Sequence, residues 1–178
     1  TIGAAHLNHG LRGDLAARDA RHAAGQADLL GVSLVTETDS AEAFRQAHRL
    51  SPEEAAREVR YRFLKRAAMA GGFNRIALGH HQDDDAELVL MRLLRGSGPA
   101  GLAGIGEVQP FGPGWLVRPL LPFSRDDLRG YAEEHALAWI DDPSNEDRKF
   151  DRNYLRHEVF PVLQARWPDA SSRLRHSA

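Results

Sequence analysis

The stretch GHHQDDDAEL, residues 79–88, concentrates side chains that bind cations. Asp84 and Glu87 lie three positions apart, so on a helix both carboxylates face the same side. Two carboxylates at the end of a buried strand suit an ammonium group or Mg²⁺. Zinc fits less well, because two adjacent histidines point in different directions and the HExxH spacing is absent. The pattern therefore predicts a site for an ammonium group or Mg²⁺ at these two carboxylates.

The same residues also have a purely structural interpretation. Asp84 at the N-cap and Glu87 three residues later would form a capping box in front of the apolar run LVLMRLL. Acidic side chains in a first helical turn also stabilise the helix by about 0.3–1 kcal/mol each through its dipole. A cap needs only one aspartate, however, and three in succession repel one another. Both interpretations stay open, since a capping box can also bind a ligand.

A glycine-rich loop and a pair of arginines are further candidates for binding anions. The glycines of RGSGPAGLAGIG, residues 95–106, would let the backbone approach a phosphate, with Arg95 adding charge; an ordinary loop is the alternative. The GxxxxGK[ST] phosphate loop is absent. Arg152 and Arg156 lie one turn apart, after a predicted cap at Asp151, and could grip a phosphate or a carboxylate. A solvated helix face is the alternative for that pair.

Helices and strands must bring these candidate residues together in the folded protein. Apolar β-forming runs alternate with longer segments of helical periodicity, which predicts an α/β fold with helices packed on a parallel sheet. Ligands bind at the carboxyl ends of such strands, and two histidine-containing stretches, 6–10 and 79–85, are expected there. The predicted strands are 2–7, 32–37 and 73–80.

Two helices have clear start and stop signals. Ser51 predicts a cap, Pro52 suits the first helical position, Glu54 completes a capping box and Gly71 ends the helix. Ser124 is the predicted cap of a later helix. The apolar positions of the first of these helices form one stripe, namely Ala55, Val59, Phe63 and Ala67.

The second half of the chain has a different pattern. LVRPLL, residues 116–121, predicts an edge strand. The helix that follows the arginine pair is expected to break at Pro161, and the tail after Trp167 has little core-forming pattern. The predicted division is an α/β core, residues 1–114, and a helical appendage with the start of a linker, residues 115–178.

Composition limits the function further. The 178 residues carry a net charge of -2, with 42% hydrophobic and 27% charged residues, which is typical of a soluble globular protein. The absence of cysteine excludes disulfides, cysteine-ligated metals and thiol catalysis. No apolar run reaches the roughly 18 residues of a membrane helix and no secretory signal opens the chain, so we expect a cytoplasmic protein without membrane contact. Thr1 already lies in a strand-like run, which predicts that residues precede it.

Seven segments, in order, resemble the N-terminal catalytic domain of the tRNA(Ile)-lysidine synthetases, a branch of the PP-loop (N-type ATP pyrophosphatase) superfamily. RGSGPAGL followed by DDPSN and DRNxLR is specific to this branch. The resemblance spans nearly the whole chain and implies a Rossmann-like parallel sheet with helices on both faces (adenine nucleotide alpha hydrolase-like), plus a small helical appendage. The matching segments are HLNHGLR (6–12), EEAAREVRYRFL (53–64), LGHHQDDDAE (78–87), RGSGPAGLAGI (95–105), RPLL (118–121), WIDDPSNED (139–147) and DRNYLRHEVFP (151–161).

The resemblance implies a two-step reaction and its participants. ATP adenylates C2 of the wobble cytidine of tRNA(Ile) with a CAU anticodon and releases pyrophosphate. The amine of free L-lysine then displaces AMP to form lysidine. ATP and Mg²⁺ are the implied cofactors, and tRNA(Ile) and L-lysine are the implied partners.

The resemblance also assigns roles residue by residue. His80, Asp84 and Glu87 are the implied catalytic residues, and Asp84 and Glu87, together with Arg152, would bind lysine. No residue is assigned as a metal ligand. The implied nucleotide-binding residues are Asn8, His9, Gly10 and His81. The implied phosphate or tRNA contacts are Arg95, Gly96, Ser97, Gly98 and Arg156.

The sequence departs from the family pattern in two ways. The SGGxDS loop, which cradles the ATP pyrophosphate and helps to hold Mg²⁺, does not occur and is expected upstream of Thr1. Asp85 and Leu88 stand where the family motif DDQxET has other residues. The polypeptide alone is therefore expected to be inactive, and a missing first strand would expose an edge that favours pairing between chains, such as a homodimer.

Two other functions remain open. One is a shortened PP-loop homologue that binds RNA without ATP chemistry. The other is a different PP-loop tRNA-modifying enzyme, such as a tRNA thiolase. Thiolases commonly use cysteines for sulfur transfer or cluster binding, so the absence of cysteine argues against that choice.

Overall fold

The computed structural model describes residues 1–10 and 13–177. Leu11 and Arg12, which end the family segment at 6–12, lie outside the described residues. The chain forms two compact units. Unit 1 contains residues 1–76 and 111–115, and unit 2 contains residues 77–110 and 116–178. The division into a core and an appendage after residue 114 concerns folding domains and stays a prediction.

Unit 1 contains two neighbouring parallel strands. They pair in register from Gly3 opposite Ser33 to Asn8 opposite Thr38, which places both within one residue of the predicted strands. The helix at 41–48 was not predicted; Ser40 caps it by accepting a hydrogen bond from the Ala43 N–H at 3.1 Å. The elements are β1 (Gly3–Asn8), α1 (Asp14–Leu29), β2 (Ser33–Thr38), α2 (Ala41–His48) and α3 (Pro52–Ala70).

The capping box predicted for α3 is confirmed. The Ser51 hydroxyl accepts the Glu54 N–H at 3.3 Å, and the Glu54 carboxylate accepts the Ser51 N–H at 2.9 Å. Three of the four predicted stripe positions, Ala55, Val59 and Phe63, are at most 1% exposed, and the fourth, Ala67, is half-buried. Burying a side chain of the size of Phe63 contributes about 1.5–3 kcal/mol. End signals and periodicity were therefore sufficient to place this helix.

A second sheet contains β3 (Arg75–Ala77), β5 (Gly114–Val117) and β4 (Val108–Phe111), in that order. The predicted strand 73–80 is thus shorter than expected and pairs with β5 instead of extending the β1–β2 pair. No strand was predicted between residues 81 and 115, where β4 and the first two residues of β5 lie. The α/β fold class with a parallel sheet and helices is confirmed.

Unit 2 is mainly helical, and its buried cluster is formed by Ala86, Leu155 and Phe160. Its helices are α4 (Gln82–Leu94), α5 (Arg125–Glu134), α6 (Asp151–Tyr154), a π-helix (Leu155–Val159), α7 (Phe160–Arg166) and α8 (Ala170–His176). Short 3₁₀ turns occupy Pro99–Gly101 and Pro143–Glu146. Ser124 caps α5 as predicted, by accepting the Asp127 N–H at 3.1 Å.

Two expectations about the end of the chain were wrong. Pro161 does not break the helix: it lies in the first turn of α7, after the π-helix. The missing N–H of proline costs no intrahelical hydrogen bond in the first turn of a helix. The π-helix changes the hydrogen-bond pattern in front of Pro161. The tail after Trp167 forms α8, in which Ala170 and Ser171 are buried. Among the described residues, no helix is both long and apolar enough to cross a membrane.

Gly114 provides a test of the packing at the start of β5. A methyl group added there would lie 2.5 Å from the Asn74 carbonyl oxygen, and that oxygen accepts the Trp115 N–H at 3.0 Å. We expect Gly114→Ala to lower the free energy of unfolding by about 1–3 kcal/mol, because the backbone must move. Urea denaturation measures this change.

The matched control is Gly25→Ala in α1, where the added methyl group meets no heavy atom within 4 Å. It should raise the free energy of unfolding by roughly 0.5–1 kcal/mol, since alanine is the better helix former. Equal effects of the two substitutions would contradict the close approach at Gly114.

Candidate functional site

The acidic stretch forms the first turn of α4, although not as predicted. The helix starts at Gln82, and His81 is the N-cap residue with an extended backbone. Asp84 is the third helical residue, and its carboxylate accepts the His81 N–H at 3.0 Å. The expected cap at Asp84 is therefore wrong. Asp84 instead supplies the acidic half of a capping arrangement that begins three residues earlier.

The three consecutive aspartates point to different partners. The Asp83 carboxylate accepts the Arg125 N–H at 2.8 Å, while Asp85 accepts the Ile105 N–H at 2.5 Å. Successive side chains on a helix are rotated by about 100°, so neighbours cannot share one face. The mutual repulsion expected from the sequence is reduced because each carboxylate has its own surroundings.

Glu87 is the most deeply buried acidic residue of the site, with 1% of its surface exposed. Arg156 grips its carboxylate with two hydrogen bonds, from Nε to Oε1 at 2.7 Å and from Nη2 to Oε2 at 3.0 Å. The Nε atom of Arg152 lies 2.9 Å from Oε2, although its N–H is not aimed at that oxygen. A planar guanidinium that binds a carboxylate in this bidentate way combines charge with fixed orientation.

Both arginines also reach Asp84. Arg156 Nη2 lies 3.7 Å from an Asp84 carboxylate oxygen, and Arg152 donates to the Asp84 backbone carbonyl at 3.1 Å. Burial alone would lower the pKa of Arg156, but its hydrogen bonds to Glu87 and the charges of Glu87, Asp84 and Asp83 outweigh burial and raise that pKa. The structure thus brings Asp84, Glu87, Arg152 and Arg156 together.

The neighbouring histidines complete this part of the site. His81 Nε2 lies 3.5 Å from the Asp84 carboxylate, and its Nδ1 lies 3.7 Å from that of Asp83. His80 is half-buried immediately before it. The His81 ring therefore faces two carboxylates.

Sequence reasoning missed a second face of the same helical segment. Asn153 is buried and donates from Nδ2 to the Ser144 carbonyl at 2.8 Å and to the Asp147 carbonyl at 2.9 Å. His157 Nε2 lies 2.9 Å from the Asn145 carbonyl. The signal in the sequence was that Asn153 and His157 lie four residues apart, as Arg152 and Arg156 do. These residues hold the DDPSNED loop.

Asp85, one of the two departures from the family pattern, contacts a different part of unit 2. It is 3% exposed, and a side chain at Gly104 would collide with it at 2.5 Å. Arg175 of α8 lies 3.8 Å from the Asp85 carboxylate and 2.7 Å from that of Glu107. Asp85 therefore fastens the 104–107 segment and α8 to α4. The other departure, Leu88, is half-buried.

The glycine loop begins at Arg95, the C-cap residue of α4. Arg95 is exposed and forms an ion pair with Asp151 at 3.3 Å. Gly96 has a φ of 78°, which explains the glycine there. Ser97 and Gly98 follow directly, in front of the 3₁₀ turn at Pro99–Gly101. Their predicted contacts with phosphate or tRNA stay predictions.

The predicted nucleotide residues of unit 1 lie at the end of β1. Asn8 Oδ1 accepts the Gly10 N–H at 2.9 Å, and Gly10 has a φ of 69°. The Asn8 carbonyl accepts the Asp39 N–H at 3.0 Å, which ties the ends of β1 and β2 together. His9 follows, half-buried. These residues are at the carboxyl end of a parallel strand as expected, and their binding role stays a prediction.

The acidic and histidine side chains that the structure describes do not form a metal-binding cluster. Within residues 1–10 and 13–177, no three histidine, aspartate or glutamate side chains are grouped to hold one. Asp83, Asp84 and Asp85 diverge, and arginine occupies Glu87. The donor set of the described residues therefore does not fit Mg²⁺.

The buried Asp85 carboxyl gives a prediction about pH. Burial raises the pKa of Asp85. The hydrogen bond from the Ile105 N–H and the charges of Arg175 and Arg92 lower it, but burial has the larger effect. A carboxyl whose pKa is higher in the folded protein binds its proton more tightly there, so the free energy of unfolding falls as pH rises from about 4. The Asp85→Asn variant has no carboxyl to titrate at this position, so its free energy of unfolding should fall less as the pH rises.

Urea denaturation across a pH series beginning near the unfolded-state pKa of about 4 measures the effect. Asp28→Asn, at an exposed position of α1, is the control. If the Asp85→Asn variant and the unaltered chain show the same pH dependence, the buried carboxyl does not have a raised pKa.

Comparison with known proteins shows the family to which the chain belongs. Residues 1–163 match the PP-loop domain family. The tRNA(Ile)-lysidine synthase of Alkalilimnicola ehrlichii is 45% identical over 180 residues, which cover 98% of this chain and 38% of that protein. The tRNA(Ile)-lysidine synthase of Methylococcus capsulatus is 42% identical over 178 residues, covering 99% of this chain and 39% of that protein. The chain thus spans less than two-fifths of the length of these relatives.

A solved structure supports the fold. The U34-tRNA thiolase NcsA from Methanococcus maripaludis, determined with its [4Fe-4S] cluster, superposes with a TM-score of 0.76 over 97% of this chain and 59% of that one. The sequence identity is 17%, so this likeness concerns the fold alone. Because the family match covers most of the chain and the fold agrees, the chain belongs to the PP-loop domain family.

Proposed function

We propose that this chain is the PP-loop domain of a tRNA-modifying ligase, a tRNA(Ile)-lysidine synthetase. The observation that carries the proposal is the Asp84–Glu87–Arg152–Arg156 cluster, which joins two motifs of the lysidine synthetase pattern that are 69 positions apart. The relatives that are 45% and 42% identical bear that name. A cytoplasmic location and a homodimer stay predictions.

The proposed reaction has two steps. ATP adenylates C2 of the wobble cytidine of tRNA(Ile) with a CAU anticodon, and pyrophosphate leaves. The amine of free L-lysine then attacks C2, and AMP leaves as the new carbon–nitrogen bond forms. The chain's own residues would bind and orient lysine. The nucleotide contacts of Asn8, His9, Gly10 and His81, and the inactivity of this polypeptide alone, are proposed from the family pattern only.

The distribution of charge in the cluster supports a role for Asp84 in binding an amine. The two carboxylates and two guanidinium groups balance, but both guanidinium groups lie closest to Glu87, at 2.7 and 2.9 Å. The Asp84 carboxylate lies 3.7 Å from Arg156, so it is the carboxylate of the cluster that a cation could approach. In this proposal the arginines hold Glu87 in position, and Asp84 contacts the ammonium group of lysine.

A thiolase is the weaker alternative. The thiolase NcsA carries a [4Fe-4S] cluster, and cysteine thiolates are the usual ligands of such clusters. This chain has no cysteine. The likeness to NcsA concerns only the fold, and the named relatives of this chain are lysidine synthases.

The proposal is tested by Asp84→Asn in the protein as it occurs in its own cells. Asparagine keeps an oxygen for the His81 N–H but removes the charge. Hydrogen bonds to charged groups contribute about 1.5–3 kcal/mol, so the KM for lysine should rise roughly 10- to 150-fold, while the KM for ATP changes little. The assay is lysine-dependent release of pyrophosphate in the presence of tRNA(Ile).

Asp28→Asn, an exposed substitution on α1, is the matched control and should leave both constants unchanged. An unaltered KM for lysine together with unaltered turnover in the Asp84→Asn protein would refute the proposed role of Asp84. Absence of any lysine-dependent reaction in the unaltered protein would refute the proposed function itself.

A further inference from the structure

Unit 1 contains an open groove of about 480 Å³ between α2 and α3. This volume is within the range of roughly 300–1,000 Å³ that is typical of small-molecule sites. None of its lining residues belongs to the cluster around Glu87 or to the predicted nucleotide residues at the end of β1. The lining residues that carry planar or charged groups are Phe44, His48, Glu54, Arg57, Glu58 and Arg62.

Three planar groups form a stack along the groove. The rings of Phe44 and His48 are nearly parallel, with 3.9 Å between their centroids and 18° between their planes. The Arg62 guanidinium lies 4.5 Å from the Phe44 centroid, and it covers the second face of that ring because His48 covers the first. His48 is exposed, and among residues 1–10 and 13–177 no further ring or guanidinium stacks on it. The stack therefore ends at an imidazole face that is open to a ligand.

The charges of the groove leave one cation without a carboxylate partner. Glu58 pairs with Arg62 at 2.9 Å. The Glu54 carboxylate accepts hydrogen bonds from the N–H and the hydroxyl of Ser51, at 2.9 and 2.7 Å. Arg57 is exposed and forms no ion pair within the part of the chain that the structure describes. The groove therefore offers a positive charge to an anion, close to a planar surface.

A planar surface with a neighbouring guanidinium group fits a nucleotide. RNA bases stack on histidine and phenylalanine rings, and arginine binds phosphate. A free nucleotide would need a pocket that encloses most of its surface. The exposed His48 and Arg57 instead leave room for a strand to continue past the groove, and stacking platforms beside basic groups are typical of sites for single-stranded nucleic acid.

We infer that this groove binds an unpaired nucleotide of an RNA strand, the tRNA of the proposed reaction; the inference rests on the proposed function. The base stacks on the outer face of His48 as the fourth layer after Arg62, Phe44 and His48, and Arg57 binds its phosphate. Such a site adds affinity for RNA without contacting lysine or ATP. Its loss should therefore raise the KM for tRNA(Ile) and leave the KM for lysine unchanged.

The experiment measures the binding of fluorescently labelled hexauridylate, a single-stranded RNA, to the protein as it occurs in its own cells. His48→Ala should weaken binding roughly 5- to 150-fold, because the stacking of a base on the ring is lost. His48→Phe keeps a planar ring and should bind like the unaltered protein. Arg57→Gln should reduce the slope of log affinity against log salt concentration by about 0.7, the value for one phosphate contact in a single strand.

His135→Ala is the matched control for the ring. His135 also follows an aromatic residue, Tyr131, by four positions and lies 4.2 Å from it between ring centroids, but it does not line the groove. Arg21→Gln, an exposed substitution on α1, is the control for charge. Both controls should bind hexauridylate like the unaltered protein. His48 and Arg57 are exposed, so their variants should keep the unfolding midpoint.

Two results would overturn the inference and leave the proposed function intact. One is equal affinity for hexauridylate in the His48→Ala variant and the unaltered protein, or no binding by either. The other is displacement of hexauridylate by ATP together with an equal loss of ATP affinity in His48→Ala, which would assign the groove to a free nucleotide. The proposed function fails separately, if the unaltered protein shows no lysine-dependent release of pyrophosphate.

Discussion

Unit 2 depends on the ion pairs that the buried carboxylate of Glu87 forms with Arg156 and Arg152. Only 1% of the Glu87 surface is exposed. Without a partner, this buried charge would lower the free energy of unfolding by several kcal/mol, because nothing would compensate for its removal from water. Arg156 and Arg152 provide that compensation at 2.7 and 2.9 Å. Helices α4 and α6 and the π-helix are consequently joined by a geometrically specific contact, as well as by the apolar cluster of Ala86, Leu155 and Phe160.

This contact also explains why functional groups from distant parts of the sequence meet. Once Arg156 is fixed on Glu87, an adjacent face of the same segment directs Asn153 and His157 to the DDPSNED loop. The first turn of α4 directs its aspartates separately, with Asp83 at the Arg125 N–H, Asp84 near the arginines and Asp85 at the Ile105 N–H. One stretch of sequence therefore contacts three parts of unit 2 through three different side-chain directions.

Sequence reasoning succeeded where the signals are local. The capping box at Ser51 and the cap at Ser124 depend on residues three positions apart, and both are confirmed. It failed where the outcome depends on remote partners. Asp84 is not the cap because His81 takes that position, and α8 forms because α4 offers a partner that its own sequence does not reveal. The partners of Glu87 are 65 and 69 positions away, and two arginines four residues apart more often form a solvated helix face.

The most direct test of this account is a double-mutant cycle between Glu87 and Arg156, with Glu87→Gln, Arg156→Gln and both together, followed by urea denaturation. Contacting residues couple by about 0.5–3 kcal/mol, whereas independent residues add within roughly 0.5 kcal/mol. A buried, bidentate ion pair should give a coupling of at least about 1.5 kcal/mol. Additive single effects would contradict the claim that this pair holds the site together.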